Sequence, residues 1–481
     1  MELNIIIYSI DRQFKMKGLL YMKRYLDNIM LKKIITLLVI FIILYIMICC
    51  FFRSHFLIGT SINGIDISCM NIGKASNHIK TTVEDYKLLI EGRGKSSEIN
   101  LSGLNFKYMD NNELETIVKK QNSFLWITSI FKKKNYVIKD IYSYDEGLLK
   151  NKIDNLEFFN EDDIIYPENA SLIFINTEFV IVDEVYGNYL DKEKVYTEVV
   201  KSIYTGQEVL NLDEANCYVN PKYCSYFKEV KEAKNIIDQY MSSKITYVFG
   251  DENEVVDYSL INQWIKIDDE LNVSIDAQAI MNYITNLAKK YDTVGVAREF
   301  KTSTGKTLSV SGGYYGWRIN KKKEAQILKE DIENGSILEK EPEYLQKGVC
   351  RGENDFGDSY LEINITRQHI WYYKQGKLIA QGDIVSGNVS NGNGTPLGIY
   401  EITYKQENST LRGANYEAKV NYWMPFNGNI GLHDASWRYS YGGDIYINDG
   451  THGCINAPKY LAKKIFAEIE AGTPVICYDE K

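Results

Sequence analysis

Between His433 and Asn456 the chain reads HDASWRYSYGGDIYINDGTHGCIN. This stretch holds two of the five histidines and a cysteine inside Thr451-His452-Gly453-Cys454-Ile455-Asn456. A cysteine becomes a nucleophile when its surroundings favour the thiolate or a neighbouring base takes its proton. A free thiol with a pKa near 8.5 is only about 3% ionised at pH 7, so such help is needed. His433 and His452 are the candidates to supply it. Cys69, Cys217, Cys224, Cys350 and Cys477 have no comparable neighbours, and only Cys217 and Cys224 are close enough to be read as a disulfide. No Cys/His spacing resembles a zinc site, so neither a metal nor another cofactor is expected.

The residues around Cys454 predict a mostly β domain over 358–480. Strands are expected at Tyr360–Ile365, Ile370–Tyr373, Leu378–Val385, Ile399–Tyr404, Lys419–Met424, Ile430–His433 and Val475–Tyr478, with a hairpin turn at Gln375-Gly376-Lys377. One helix follows the cysteine. Pro458 suits its first turn, Leu461, Ile465 and Ile469 form its buried side, and Gly472 stops it. Cys454 would then sit just ahead of a helix N-terminus, which is expected to lower its pKa. The aromatic segment 437–448 carries Gly442-Gly443 and is expected to form a flap, while Gly348–Asp358 reads as a linker.

Upstream the chain repeats itself. At an offset of 129 residues Tyr186-Gly187 matches Tyr315-Gly316, Asp191-Lys192 matches Asn320-Lys321, and Gly206 matches Gly335. The shared form is Tyr-Gly, an Asp/Asn N-cap, an amphipathic helix and a Gly stop. In the first helix Val195, Val199 and Ile203 make the apolar face; in the second, Glu324 replaces the first of these and Ile327 widens the face. A weaker match, at an offset of 157, pairs Lys87–Asn105 with Lys244–Asn262 as a strand pair. Two related α+β modules are therefore expected, over 58–225 and 226–347.

Residues 34–52, IITLLVIFIILYIMICCFF, form an uncharged run of nineteen residues, enough to span a bilayer. Lys and Arg outnumber acids before it, so residues 1–33 are expected in the cytoplasm and the remainder outside, anchored to the cell membrane. The run is longer than the apolar core of a signal peptide, and no small-x-small site follows it. A net charge of −9 argues against nucleic acid as a partner. The expected fold class is thus multidomain: a transmembrane helix, two α+β repeat modules and a C-terminal mainly-β domain.

His433, seventeen intervening residues and Thr451-His452-Gly453-Cys454-Ile455-Asn456 resemble the His-x(14–17)-Ser/Thr-His-Gly-Cys-x-Asn motif of YkuD-type L,D-transpeptidases. Thr395-Pro396-Leu397-Gly398-Ile399-Tyr400 resembles the Thr-Pro-x-Gly-x-Tyr run of the same family. The tandem modules resemble the peptidoglycan-binding modules found ahead of some wall enzymes and with VanW-like proteins. A stalk that merely spaces the last domain from the membrane is the plainer reading of them.

The resemblance implies a cysteine-dependent acyltransferase of the cell wall. Cys454 would attack the carbonyl between the third and fourth residues of a donor tetrapeptide, release D-alanine and form a thioester. A side-chain amine of an acceptor stem would resolve it into a 3→3 cross-link. By matching positions Cys454 is the nucleophile and His433 the proton acceptor, oriented by the backbone carbonyl of Asp434. Gly453 and Cys454 N–H groups, with His452 nearby, would make the oxyanion hole. Thr451, Asn456, Trp437 and Tyr441 would shape the loop and the acyl pocket, and Thr395-Pro396 would support the site as a turn. Carbapenem-type inhibitors are implied ligands. An L,D-carboxypeptidase, in which water takes the thioester, and a non-catalytic wall-binding protein are the alternatives.

Overall fold

A computed structural model describes residues 2–480 apart from Phe106, Asp110, Glu353, Ala414 and Asn415. The side chains of residues 2–11, 13, 14, 140 and 416 also lie outside the description, and Glu2 and Asp11 of the expected tail are among them. The chain divides into two compact units, 1–170 with 183–224, and 171–182 with 225–481.

The first unit begins with helix α1 (Glu2–Phe51), whose segment Lys15–Phe51 is long and apolar enough to cross a membrane. Its apolar side chains, such as Ile40 and Phe41, are exposed, as a bilayer-facing surface requires. Helix α2 (Ile72–Glu84) then buries Ala75, Ile79 and Val83. The predicted strand pair is hairpin β1 (Lys87–Gly92) and β2 (Lys95–Asn100). Helix α3 (Lys192–Thr205) is the predicted repeat helix. The Asp191 carboxylate accepts from the Glu193 and Lys194 N–H groups at its start, and Gly206, at φ 68°, ends it. Strand β3 (Val209–Asn211) completes a sheet of order β3-β1-β2, parallel to β1.

The second unit repeats this plan. Helix α4 (Lys228–Met241) precedes hairpin β4 (Lys244–Phe249) and β5 (Glu252–Val256). Next come a hairpin of β6 (Arg298–Lys301) and β7 (Thr307–Val310), helix α5 (Lys321–Glu333) and strand β8 (Ile337–Lys340), which lies parallel to β4. Glu324, the acid on the expected apolar face, is 1% exposed. It survives burial because Lys340 Nζ sits 2.8 Å away, Tyr247 Oη donates at 2.5 Å and Glu343 N–H at 2.7 Å. The hairpin Ser171–Ile175/Glu178–Val182 packs on α4 and so belongs to this unit, although its sequence lies inside the range expected for the first module.

The last domain carries strands β9 (Tyr360–Asn364), β10 (His369–Lys374), β11 (Lys377–Asp383), β12 (Gly398–Glu401), β13 (Gln406–Gly413), β14 (Tyr416–Asn427), β15 (Ile430–Asp434) and β16 (Ile455–Ala457). Helix α6 (Lys459–Glu468) and strand β17 (Pro474–Tyr478) follow. They form a five-stranded sheet, order β11-β10-β9-β17-β12, and a four-stranded sheet, order β13-β14-β15-β16. Leu361, Ile363, Leu432, Ile455, Leu461, Ile465 and Val475 share one core. Two strands were not anticipated, β13 and the short β16: the β13 residues, QENSTLRG, lack an apolar alternation because it is a largely exposed edge strand.

The expected linker is not a free tether. Asp355 is 1% exposed and Phe356 3%. Phe356 joins Phe300, Val310, Tyr315, Ile399, Ile476 and Tyr478 in a small core between the second module and the last domain. The Ile399 N–H donates to the Gly312 carbonyl and the Tyr315 N–H to the Ile399 carbonyl, both at 3.1 Å. A Cβ at Gly313 would fall 1.9 Å from the Ile399 oxygen, so this backbone approach requires glycine. Arg298 Nη2 donates to Asp355 Oδ2 at 2.9 Å, and Nε stands 2.8 Å from Oδ1. Removing one partner of a buried pair strands the other charge, so Asp355→Ala is expected to destabilise this unit by about 3–5 kcal/mol in urea unfolding. A loss below about 1 kcal/mol would show the pair to be dispensable.

The described cysteines are all free, including buried Cys217 and Cys224, so the pairing considered from sequence is not formed.

Candidate active site

Strands β15 and β16 run parallel with His433 directly opposite Asn456. Side chains alternate along a strand, so Asn456 and Cys454, two residues before it, project to the face that His433 occupies. All three line a cleft of about 260 Å³, together with Trp437, Arg438, Thr451 and His452. Six expected residues thus meet in one cleft. Asp434, Gly453 and Tyr441 do not line it.

His433 is 4% exposed. Its Nδ1 lies 3.0 Å from the Asp434 carbonyl oxygen. A carbonyl only accepts, so Nδ1 carries the proton and Nε2 of the neutral ring is left as acceptor. Burial pushes the imidazole pKa below its ordinary value; the bond to Asp434 opposes this, and the Arg438 charge adds to the depression. Two indoles stand near the ring, with centroids 5.9 Å away for Trp423 and 6.0 Å for Trp437. Asp434 has a second task that its sequence position did not reveal. Its buried carboxylate accepts the Asn421 and Tyr422 N–H groups at 2.7 and 2.8 Å, which fastens β14 to β15 beneath the histidine.

The thiol does not receive the expected help from the helix. Strand β16 intervenes between Cys454 and the first turn of α6, whose N-cap is Pro458. The field of a helix end fades within its first turn. Burial pushes the Cys454 thiol pKa up, and a hydrogen bond from the Gly431 N–H only partly offsets this. These surroundings favour the protonated thiol, and Sγ lies 3.5 Å from the Asn429 carbonyl oxygen.

The loop around the thiol is held by Thr451. Its hydroxyl accepts from the Gly453 N–H at 3.0 Å and donates to the Cys454 carbonyl at 2.6 Å. This explains why serine or threonine is wanted here: the group must accept and donate at once. It also engages the Gly453 N–H, one of the two donors expected for an oxyanion. Among the described residues no acceptor meets the Cys454 N–H. Gly453 itself adopts φ 118°, a region strained for any residue with a Cβ.

The segment expected as a flap is tied down. Tyr441 Oη donates to the Ala435 carbonyl at 2.7 Å, and the Gly442 N–H donates to Ile384 at 2.8 Å. Arg438 binds the Asp449 carboxylate and carbonyl at 3.1 and 2.7 Å. Trp437 remains 48% exposed at the cleft. Arg438 and Trp423 escaped the sequence reading. Arg438 had a signal, a lone cation beside Trp437 in an aromatic stretch; Trp423 sits on a neighbouring strand and had none.

Residues 358–477 match the family described as the YkuD L,D-transpeptidase catalytic domain. Residues 97–211 and 226–337 each match a family described as "Putative peptidoglycan binding domain". Among curated proteins nothing matches the chain. Among solved structures, a Cys-to-Ser mutant of the Enterococcus faecium L,D-transpeptidase is 33% identical over 52% of this chain and 100% of its own, with a TM-score of 0.44. The Ldtfm–avibactam carbamoyl enzyme is 34% identical with the same coverages and a TM-score of 0.45. The catalytic domain of the E. faecium enzyme acylated by ertapenem is 43% identical over 25% of this chain and 97% of its own, with a TM-score of 0.24. From the two matched families and the identity of 33–34% over the whole of the two solved chains, this chain belongs to the L,D-transpeptidases, with a YkuD catalytic domain behind tandem peptidoglycan-binding domains.

Proposed function

We propose that this L,D-transpeptidase joins peptidoglycan stem peptides by 3→3 cross-links through a thioester on Cys454. The observation that carries the reading is one cleft holding Cys454 beside a buried His433 whose Nδ1 is fixed by the Asp434 carbonyl. His433 Nε2 takes the thiol proton as sulfur attacks the carbonyl between the third and fourth residues of a donor tetrapeptide. The carbonyl becomes an oxyanion opposite the Cys454 N–H. As it collapses, the carbon–nitrogen bond breaks, the imidazolium returns its proton to the departing amine, and D-alanine leaves. The acceptor's side-chain amine then loses a proton to His433 and displaces the sulfur, which regains that proton as a thiol.

The neutral resting pair fits the depressed histidine and raised thiol better than a preformed thiolate does. His452, exposed at the cleft rim, belongs to the oxyanion loop with Gly453, Trp437 and Tyr441 shape the acyl pocket, and Thr451 and Asn456 order the loop. The acylation of the E. faecium domain by ertapenem supports Cys454 as a target of carbapenems. The modules, 58–225 and 226–347, hold peptidoglycan near the catalytic domain, 358–480. The apolar run 34–52, which α1 carries as far as Phe51, anchors the chain with residues 1–33 cytoplasmic, supported by the lysines and arginines that precede it.

The full chain in detergent, given a disaccharide-tetrapeptide, is expected to release D-alanine and yield a cross-linked dimer by mass spectrometry. Tripeptide without dimer would assign the chain to the carboxypeptidases instead.

A further inference from the structure

Two threonine hydroxyls hold Gly453 from opposite sides. Thr451 engages its N–H, as described. Thr395 Oγ1, in a side chain 6% exposed, accepts from the Gly387 N–H at 3.0 Å and donates to the Gly453 carbonyl at 2.8 Å. The close approach is built in: a Cβ at Gly387 would lie 2.0 Å from the Asn393 oxygen and 2.6 Å from the Thr395 nitrogen.

The bond to the Gly453 carbonyl matters because that carbonyl and the Cys454 N–H belong to one peptide unit. The unit is planar and trans, so its N–H points opposite to its C=O. Drawing the carbonyl toward Thr395 therefore turns the Cys454 N–H away from Thr395. Among the described residues that N–H meets no acceptor. A hydroxyl donating to the carbonyl also polarises the unit and strengthens the N–H as a donor. Glycine on one side of the unit would otherwise leave it freer to rotate.

We propose that Thr395 is a positioning residue for acyl transfer: its hydroxyl locks the Gly453–Cys454 peptide so that the Cys454 N–H stands ready for the oxyanion. Thr395 touches no substrate and acts through that peptide. The proposal rests on Cys454 being the nucleophile. With the Gly453 N–H held by Thr451, the orientation of this single amide governs how well the tetrahedral intermediate is stabilised.

The test compares two reactions of the same thiol in the full chain. Acylation by a carbapenem builds an oxyanion, whereas alkylation by iodoacetamide displaces iodide at a saturated carbon and builds none. Thr395→Val is expected to slow acylation by roughly 10- to 100-fold while alkylation stays within about twofold of wild type. With a tetrapeptide donor, kcat should fall as acylation does, while KM changes by less than about threefold. Thr395→Ser should restore acylation. Should the valine variant not fold, Thr395→Ala leaves room for water and should show the same split, with acylation at least about fivefold slower. Equal losses in both reactions, or acylation at the wild-type rate, overturn the proposal. A wild-type chain alkylated at Cys454 but never acylated there overturns the nucleophile reading, and the proposal with it.

Discussion

Cys454→Ala is expected to abolish D-alanine release, lowering kcat/KM by roughly 10³- to 10⁶-fold while the fold persists. The size follows from what is removed. Without sulfur no acyl-enzyme forms, and the remaining amide donor and cleft only bind substrate. Other sources of a nucleophile are poor. Cys477, in the same domain, is fully buried in the hydrophobic core, and burial raises its pKa too. Cys350 forms a bond to the Asn354 carbonyl away from the cleft. Little stability should be lost, because Sγ makes only a weak bond to Asn429 at 3.5 Å and receives one from Gly431. Thermal unfolding within a few degrees of wild type, about 1 kcal/mol or less, checks that point. Substantial turnover by the alanine variant would remove the thioester from the account.

His433→Gln carries the second large effect, about 10²- to 10⁴-fold in kcat at neutral pH. Its pH profile is the more telling result. In the wild type the base must be neutral, and burial holds its pKa below the ordinary 6.5. Activity should therefore be flat through neutrality and fall only as pH drops below 6.5. The thiol, pushed above its ordinary value, stays protonated across that plateau. Without His433, reaction depends on the small thiolate fraction. The variant should lose the acid limb and gain about tenfold per pH unit toward the raised thiol pKa. An unchanged acid limb in His433→Gln would give the proton transfer to another group, with His452 first in line.

The residues of the site were legible in sequence because a motif of fixed spacing carries them, but their partners were not. His433 and Cys454 could be named from a stretch of twenty-odd residues. That β15 and β16 run parallel, with His433 opposite Asn456, is a matter of topology that no local pattern states. For the same reason the helix was credited with activating the thiol: Ile455–Ala457 reads as a continuation toward Pro458, and only the fold shows it as a strand that separates the two. The Thr395 turn was expected to support the site, but its bond to Gly453 spans 58 residues.

Similar limits apply to the modules. Their hairpins and capped helices were visible because each depends on neighbours in sequence, the N-cap Asp191 and the stop Gly206 among them. Glu324 looked like a flaw in the apolar face of a helix, since Lys340 and Tyr247, which make its burial tolerable, lie on strands β8 and β4. Gly348–Asp358 looked like a tether because charge and glycine are common in linkers. Arg298, which turns Asp355 into an interior group, comes from a hairpin and lies 57 residues earlier.

The central claim is that a Cys454 thioester carries the acyl group between donor and acceptor stems. The most direct measurement is the intact mass of the full chain quenched in acid within the first turnovers on a disaccharide-tetrapeptide whose side-chain amine is acetylated, so that it cannot act as acceptor, followed by peptide mapping. The account predicts a population heavier by the donor less D-alanine, with the added mass on the peptide containing Cys454 and released by hydroxylamine. Product formation at a normal rate with no adduct on that peptide, or an adduct on another residue, would contradict it.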